Sequence, residues 1–226
     1  LSEFGRFLRF GLPSGLNWGF EFFAFIAFVN VVVGSLGTTS LAAWMAVMQV
    51  NSVSFMPAFG LASAGAILVG QSIGAGQRDA VPAQVRLTFL VMATWMGMVG
   101  AAYLLIPRQI LHPFVAAGSD GRFLVLAVSM LMLSAAWQLF DAAGITLTEA
   151  LRAAGDTAFP MWARGLLAWG VFLPGSWWTV KRWGGGELAA IAWMLLYLSL
   201  LAIVLYVRFR SGAWRRIALV EEAPLP

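Results

Sequence analysis

The sequence predicts an all-α membrane protein, a bundle of six transmembrane helices. Hydrophobic residues make up 61% of the 226 residues and charged residues only 11%, whereas soluble domains contain about 45–50% and about 25%. The charges are also clustered, and apolar stretches of about 20 residues or more, long enough to cross a hydrocarbon core about 30 Å thick, separate the clusters. Because a soluble fold would need far more surface charge, the lipid bilayer is the expected solvent.

Six apolar segments account for the predicted spans, and charge clusters and turn-forming residues set their boundaries. They cover residues 12–33, 42–65, 85–106, 123–151, 159–180 and 188–207. A closed β-barrel would instead need segments of about ten residues with strict apolar and polar alternation, a pattern that the sequence lacks. Residues 1–210 therefore form a predicted six-helix transmembrane lobe, and residues 211–226 a predicted cytoplasmic tail.

Local signals mark the ends of individual spans. Residues 34–37 and 184–186 are glycine-rich breaks after the first and fifth spans. Pro57 removes a backbone donor inside the second span, which predicts a bent helix. Asp156 and Thr157 precede the fifth span, and the sequence there predicts a side-chain oxygen that caps the helix N-terminus.

The distribution of the cationic residues predicts the orientation in the membrane. With six spans, both ends lie on the same side. That side holds Arg6, Arg9, Arg78, Arg86, Arg152, Arg164, Arg208, Arg210, Arg215 and Arg216, and the opposite side holds Arg108, Arg122, Lys181 and Arg182. The positive-inside rule therefore places both termini of this segment in the cytoplasm of a multi-pass plasma membrane protein.

Two acidic residues lie inside the predicted spans. Glu21 follows Arg9 by twelve residues, about 18 Å, and Asp141 precedes Arg152 by eleven, about 16 Å, so both acids lie at similar depth. A carboxylate in the bilayer costs at least about 2.5–3.5 kcal/mol, so such acids usually face a cavity, pair with a cation or stay protonated. Glu149, at the expected interface, is instead predicted to pair with Arg152.

The polar neighbours of the two acids predict an ion-coupling site. Asn17 lies one turn before Glu21, and Gln138 and Thr148 lie at helical spacing from Asp141. Burial and a second nearby acid both favour the neutral form of a carboxylic acid. We therefore expect Glu21 and Asp141 to hold a proton or a sodium ion in alternation, as metal ligands only if sodium is the ion. Alternatively, each protonated acid makes only an interhelical hydrogen bond.

A face of the second span is a candidate substrate-binding surface. It carries Met45, Met48, Ser52 and Met56, with Gln49 and Asn51 close by. Methionine is flexible and polarizable, which suits varied hydrophobic ligands, although core packing explains the same pattern. The deeper tryptophans are candidates for stacking on aromatic cations. They are Trp18, Trp44, Trp137 and Trp169.

Other function classes find no support in the sequence. It shows no nucleophile with a base and no metal-ligand cluster, so we expect neither an enzyme nor a cofactor. Residues 70–74 lack the lysine of a P-loop, which argues against ATP-driven transport. The pI is near 10.3, but no basic stripe with interleaved aromatics accompanies it, so nucleic acid is not an expected partner.

Four motifs, in order over about 150 residues, resemble the C-terminal half of the multidrug and toxic compound extrusion (MATE) family. They are Gly11-Leu12-Pro13 followed by Glu21; Ser35-Leu36-Gly37 with Leu41-Ala42-Ala43; Val69-Gly70-Gln71 with Gly74-Ala75; and Asp141 followed by Leu151-Arg152-Ala153-Ala154-Gly155-Asp156-Thr157. The resemblance implies one lobe of a twelve-helix transporter in the bacterial inner membrane. Such a transporter exports amphipathic cationic drugs or toxins in exchange for sodium ions or protons, and its implied partner is the N-terminal six-helix lobe.

In NorM-like members of the family, a glutamate and an aspartate at the positions of Glu21 and Asp141 belong to the cation site. Some of these members place a tyrosine one turn before the aspartate, where this chain has Trp137. An indole supplies no hydroxyl oxygen, so the resemblance leaves sodium and proton coupling both open. Trp137 is also a candidate substrate contact.

Two other functions remain as alternatives. A lipid-linked oligosaccharide flippase of the same broad superfamily would carry several arginines in its cavity to meet pyrophosphate, whereas the mid-span positions here carry acids. A non-transporting membrane scaffold would have no need for two isolated acids at matched depth.

Overall fold

The computed structural model describes residues 2–115 and 121–217, and the side chains of these residues from residue 11 onward except for Ser14. Eight α-helices, α1–α8, follow one another in this part of the chain. They are α1 (Ser2–Ala27), α2 (Thr38–Gly74), α3 (Val81–Leu105), α4 (Pro107–Leu111), α5 (Gly121–Ala153), α6 (Ala158–Leu167), α7 (Leu173–Trp183) and α8 (Glu187–Arg210). Shorter helical turns connect several of them, so the predicted all-α fold is confirmed.

All six predicted spans are helical. Five described segments are long and apolar enough to cross a membrane, residues 11–36, 38–74, 78–105, 121–153 and 187–210. The fifth predicted span, 159–180, is also helical, but a π-helical turn, Ala168–Phe172, separates α6 from α7. This span carries Arg164 in its first half, and Lys181 and Arg182 follow directly after its predicted end.

Helix α2 is longer than predicted, since it runs past residue 65 to Gly74. The apolar sequence continues through Val69, and Gly65 does not end the helix because it is buried where α2 faces Thr88 of α3. Pro57 lies inside α2, and the helix continues on both sides of it.

Helix α5 is the centre of the bundle, and it packs against α2, α3 and α8. Its buried side chains include Leu131 and Leu151, each fully shielded from solvent, and they join Trp44 of α2 and Leu205 of α8 in one core. Helix α1 packs against α6 at the edge of this core. The acid-bearing helices α1 and α5 are thereby held around one shared space.

The prediction of a side-chain cap at the start of α6 is wrong. Thr157 occupies the N-cap position but makes no capping hydrogen bond. Asp156 instead accepts a hydrogen bond of 2.7 Å from Nε of Arg208 on α8, because a charged partner binds a carboxylate more strongly than a neutral amide does. The predicted ion pair between Glu149 and Arg152 is confirmed.

Helix α8 ends at Arg210, and a short 3₁₀ turn follows, in which the ring of Trp214 stacks on Phe209 at a centroid distance of 5.5 Å. The division into a lobe of residues 1–210 and a tail of residues 211–226 stays a prediction, as does the cytoplasmic orientation of both ends. Residues 218–226 of the predicted tail lie outside the described chain.

Candidate functional site

A cavity of about 480 Å³ lies in the middle of the bundle. Helices α1, α2, α3, α5 and α8 and the π-helical turn all contribute to its wall, which is mostly apolar and aromatic. The lining side chains include Trp18, Glu21, Phe25, Met48, Asn51, Ser52, Phe55, Met96, Trp137, Gln138, Asp141, Phe172 and Tyr197. We call this space the central cavity. The two acids that the sequence singled out therefore share one chamber.

Glu21 lies within a network of polar side chains from three other helices. Its Oε2 accepts a hydrogen bond from Nη1 of Arg164, and the two residues form an ion pair. Its Oε1 accepts a hydrogen bond of 3.1 Å from the hydroxyl of Tyr197. Nη2 of Arg164 lies 3.5 Å from Oγ1 of Thr148, and the guanidinium carbon lies 5.5 Å from the ring centre of Trp18. Glu21 is thus neutralised by a cation from another helix.

Asp141 faces the same chamber from α5. Its carboxylate is close enough to Glu21 and Arg164 to interact with both charges. Within residues 2–115 and 121–217, Asp141 forms no ion pair of its own. The site therefore contains one carboxylate that is paired with a cation and a second carboxylate that is available to a ligand.

The predicted supporting residues divide between the cavity and its surroundings. Gln138 lines the cavity and donates from Nε2 to Oδ1 of Asn51 at 2.9 Å. Thr148 is buried beside Arg164 and touches the network from outside the cavity. Asn17 is only 1% exposed and does not line the cavity, and both polar atoms of its amide lack a partner in the described chain.

The candidate substrate contacts also separate into two groups. Met48, Asn51, Ser52 and Trp137 line the central cavity. Met45 and Gln49 do not line it, and Met45 is 54% exposed. The reason is helical geometry, since at 3.6 residues per turn these two side chains point about 60° and about 100° away from Met48.

Of the tryptophans proposed for stacking, Trp18 and Trp137 line the cavity. Trp44 is fully buried in the core. Trp169 lies on an exposed face, and its indole N–H donates to the backbone carbonyl of Phe20.

The sequence predicted that Arg164 lies at the membrane surface, with the cations that set the orientation, and this prediction was wrong. Arg164 is only 5% exposed and contacts Glu21 inside the bundle. The prediction placed it at the surface because it follows the polar turn at Asp156 by only eight residues. The sequence does contain one indication that Arg164 lies inside the bundle. It is the single charged residue between Asp156 and Lys181. Tyr197 was also missed, since a tyrosine in an apolar span resembles an interfacial anchor.

Comparison with known proteins agrees with this architecture. The sequence model of the MatE family matches residues 13–178. A probable multidrug resistance protein NorM of Mesorhizobium japonicum is 34% identical over 174 residues, which are 76% of this chain and 37% of that protein. This chain therefore spans less than half the length of that relative.

Solved structures share the fold. A MATE protein crystallised in complex with MaL6 matches with a TM-score of 0.83 and 17% identity, over 93% of this chain and 47% of that one. A MOP superfamily transporter of Pyrococcus furiosus, described as having a binding pocket of reverse polarity, matches with a TM-score of 0.80 and 18% identity, over 96% and 48% of the two chains. From the match to the family model, the chain belongs to the MatE family, a family of membrane transporters rather than of enzymes.

Proposed function

We propose that this chain is one lobe of a secondary active antiporter that exports amphipathic cationic drugs or toxins in exchange for sodium ions or protons. The observation that carries the proposal is that Glu21 and Asp141 line one cavity with otherwise mostly apolar and aromatic walls. Aromatic and apolar walls suit the flat body of an organic cation, and a carboxylate suits its charge.

The proposed coupling is a competition for the carboxylates. A small cation or proton at Asp141 neutralises the charge that would attract the drug, and a bound drug cation opposes the return of the small ion. If ion binding favours one orientation of the lobe and drug binding favours the other, then each ligand drives the release of its competitor. The Glu21–Arg164 pair leaves Asp141 as the cavity carboxylate without an ion-pair partner among the described residues.

The proposed transporter contains a second lobe, and the lipid bilayer surrounds both. The chain spans about half the length of the transporters of known structure that it resembles. In transporters built from repeats, the substrate site lies at the interface between the repeats. We therefore expect this lobe to form one wall of a larger central cleft, in a bacterial inner membrane with both ends of this segment in the cytoplasm, and we do not expect it to pump alone.

The structure adds no support for the flippase alternative. Arg164 is the one arginine beside the cavity in the described residues, and it is paired with Glu21 rather than aimed into the cavity. A pyrophosphate group needs several arginines that are free to bind it.

The test is ethidium efflux from vesicles that contain the full-length transporter. Because both carboxylates take part in the exchange, Glu21→Gln and Asp141→Asn should each reduce the efflux rate by about tenfold or more, a loss of at least about 1.4 kcal/mol. Glu187→Gln is the matched control, since Glu187 pairs with Arg122 away from the cavity. If both cavity variants export ethidium at the wild-type rate, the proposed exchange at these carboxylates is wrong.

A further inference from the structure

We propose that Arg164 is a resident cation that excludes sodium from the coupling site. The inference rests on the proposed function and specifies the coupling ion of the same site. Arg164 places a guanidinium on Glu21, where a sodium-coupled site would place the metal ion. A tethered cation in that position competes with any free cation for the same oxygens.

The oxygens around Glu21 are already engaged. Arg164 and Tyr197 donate to the two carboxylate oxygens of Glu21. Oγ1 of Thr148 faces Nη2 of the same guanidinium. A hard cation needs several oxygen ligands, and it could bind both carboxylate oxygens of Glu21 only by displacing Arg164.

Displacement of Arg164 would be costly because the side chain is enclosed. It is 5% exposed, and α6 lies close to α1 at the next residue, where a Cβ on Gly165 would meet the ring of Phe20 at 3.3 Å. The face of Trp18 covers the guanidinium. A buried arginine that loses its carboxylate partner remains as an uncompensated charge, which is strongly unfavourable.

Asp141 has few oxygen neighbours on its own helix that could join it in a sodium site. One turn before it, Gln138 contributes one amide oxygen without a described partner, but Trp137 contributes no oxygen. A proton needs a single carboxylate oxygen, so the arrangement admits a proton more readily than sodium.

Sodium titration of the purified full-length protein tests this proposal without the need for transport. The readout is tryptophan fluorescence, because Trp18 lies against the guanidinium and Trp137 lines the cavity. In the wild type, sodium chloride should produce no saturable change beyond that of potassium chloride. Arg164→Gln should gain a sodium-specific response with an affinity at least about tenfold tighter than any wild-type response. Arg164→Lys, which keeps the charge, should not gain it.

The control is Arg208→Gln, which removes a comparable ion pair with Asp156 outside the cavity and should not create a sodium response. A saturable sodium response in the wild type that potassium does not produce would overturn the proposal. The wild-type measurement decides the matter even if Arg164→Gln does not fold. The proposed function fails separately, if neither a proton gradient nor a sodium gradient drives ethidium efflux.

Discussion

Arg164 on α6 forms a buried ion pair with Glu21 on α1, although 143 residues separate them in the sequence. The side chain of Arg164 is 6% exposed and that of Glu21 is 27% exposed. A buried ion pair is tolerated only when further hydrogen bonds compensate for the loss of water. Tyr197 supplies one at Glu21 and Thr148 faces the guanidinium, so three helices besides α1 depend on this carboxylate.

Removal of one partner of this pair should destabilise the lobe. Arg164→Ala leaves Glu21 without its cation, and the expected loss is about 3–5 kcal/mol. The double variant Glu21→Gln with Arg164→Gln should be more stable than Arg164→Ala, because neither charge is then left unpaired. Thermal unfolding in detergent measures the stability of both variants. Equal stability of Arg164→Ala and the wild type would show that the pair is not formed.

The contact between α2 and α3 predicts opposite effects of alanine at two glycines of α2. A Cβ at Gly65 would lie 2.4 Å from the side chain of Thr88, whereas Gly60 has nothing within 4 Å. Gly65→Ala should therefore destabilise the protein by about 1–3 kcal/mol. Gly60→Ala should stabilise it by up to about 1 kcal/mol, through helix propensity alone. Thermal unfolding of both variants tests the helix packing, and the reverse order would contradict it.

The start of α6 predicts that Asp156 stabilises the protein through Arg208 and not as a cap. Asp156→Ala should cost about 1–3 kcal/mol, because it removes a hydrogen bond to a charged group. Thr157→Val keeps the side-chain shape and should cost less than about 0.5 kcal/mol, against about 1 kcal/mol for a lost cap. Chemical or thermal unfolding distinguishes the two roles, and a larger effect at Thr157 would restore the capping interpretation.

Two methionines of α2 provide a matched test of the substrate surface. Met48 lines the central cavity and Met45 does not. Met48→Ala should weaken ethidium binding about three- to tenfold, because it removes roughly 1 kcal/mol of apolar contact. Met45→Ala should leave the affinity unchanged. Fluorescence titration of the purified full-length protein gives both affinities, and an effect at Met45 alone would place the drug elsewhere.

The helices were predictable because their signal is local. An apolar run long enough to span a bilayer needs no tertiary information, and Glu21 and Asp141 were visible as charges within such runs. Their shared cavity was a prediction from matched depth, and the structure brings both to its wall. The direction of each side chain around α2 was less predictable, so Met45 and Met48 were grouped although only one faces the cavity.

The partner of Glu21 was not predictable from depth alone. Arg164 lies near a polar turn, and its long side chain can reach either the surface or the interior. Only the packing of α6 on α1 decides between them, and that contact joins residues far apart in the chain. Asp156 shows the same limitation, because its partner Arg208 lies 52 residues away on α8.

The most direct test of the account measures whether the exported cation and the coupling ion compete for the same carboxylates. The affinity of the purified full-length protein for ethidium should be titrated against proton and sodium concentrations, in the wild type and in Asp141→Asn. The account predicts that protons weaken ethidium binding to the wild type, that sodium does not, and that Asp141→Asn loses the proton effect. An ethidium affinity in the wild type that depends on neither ion would contradict it.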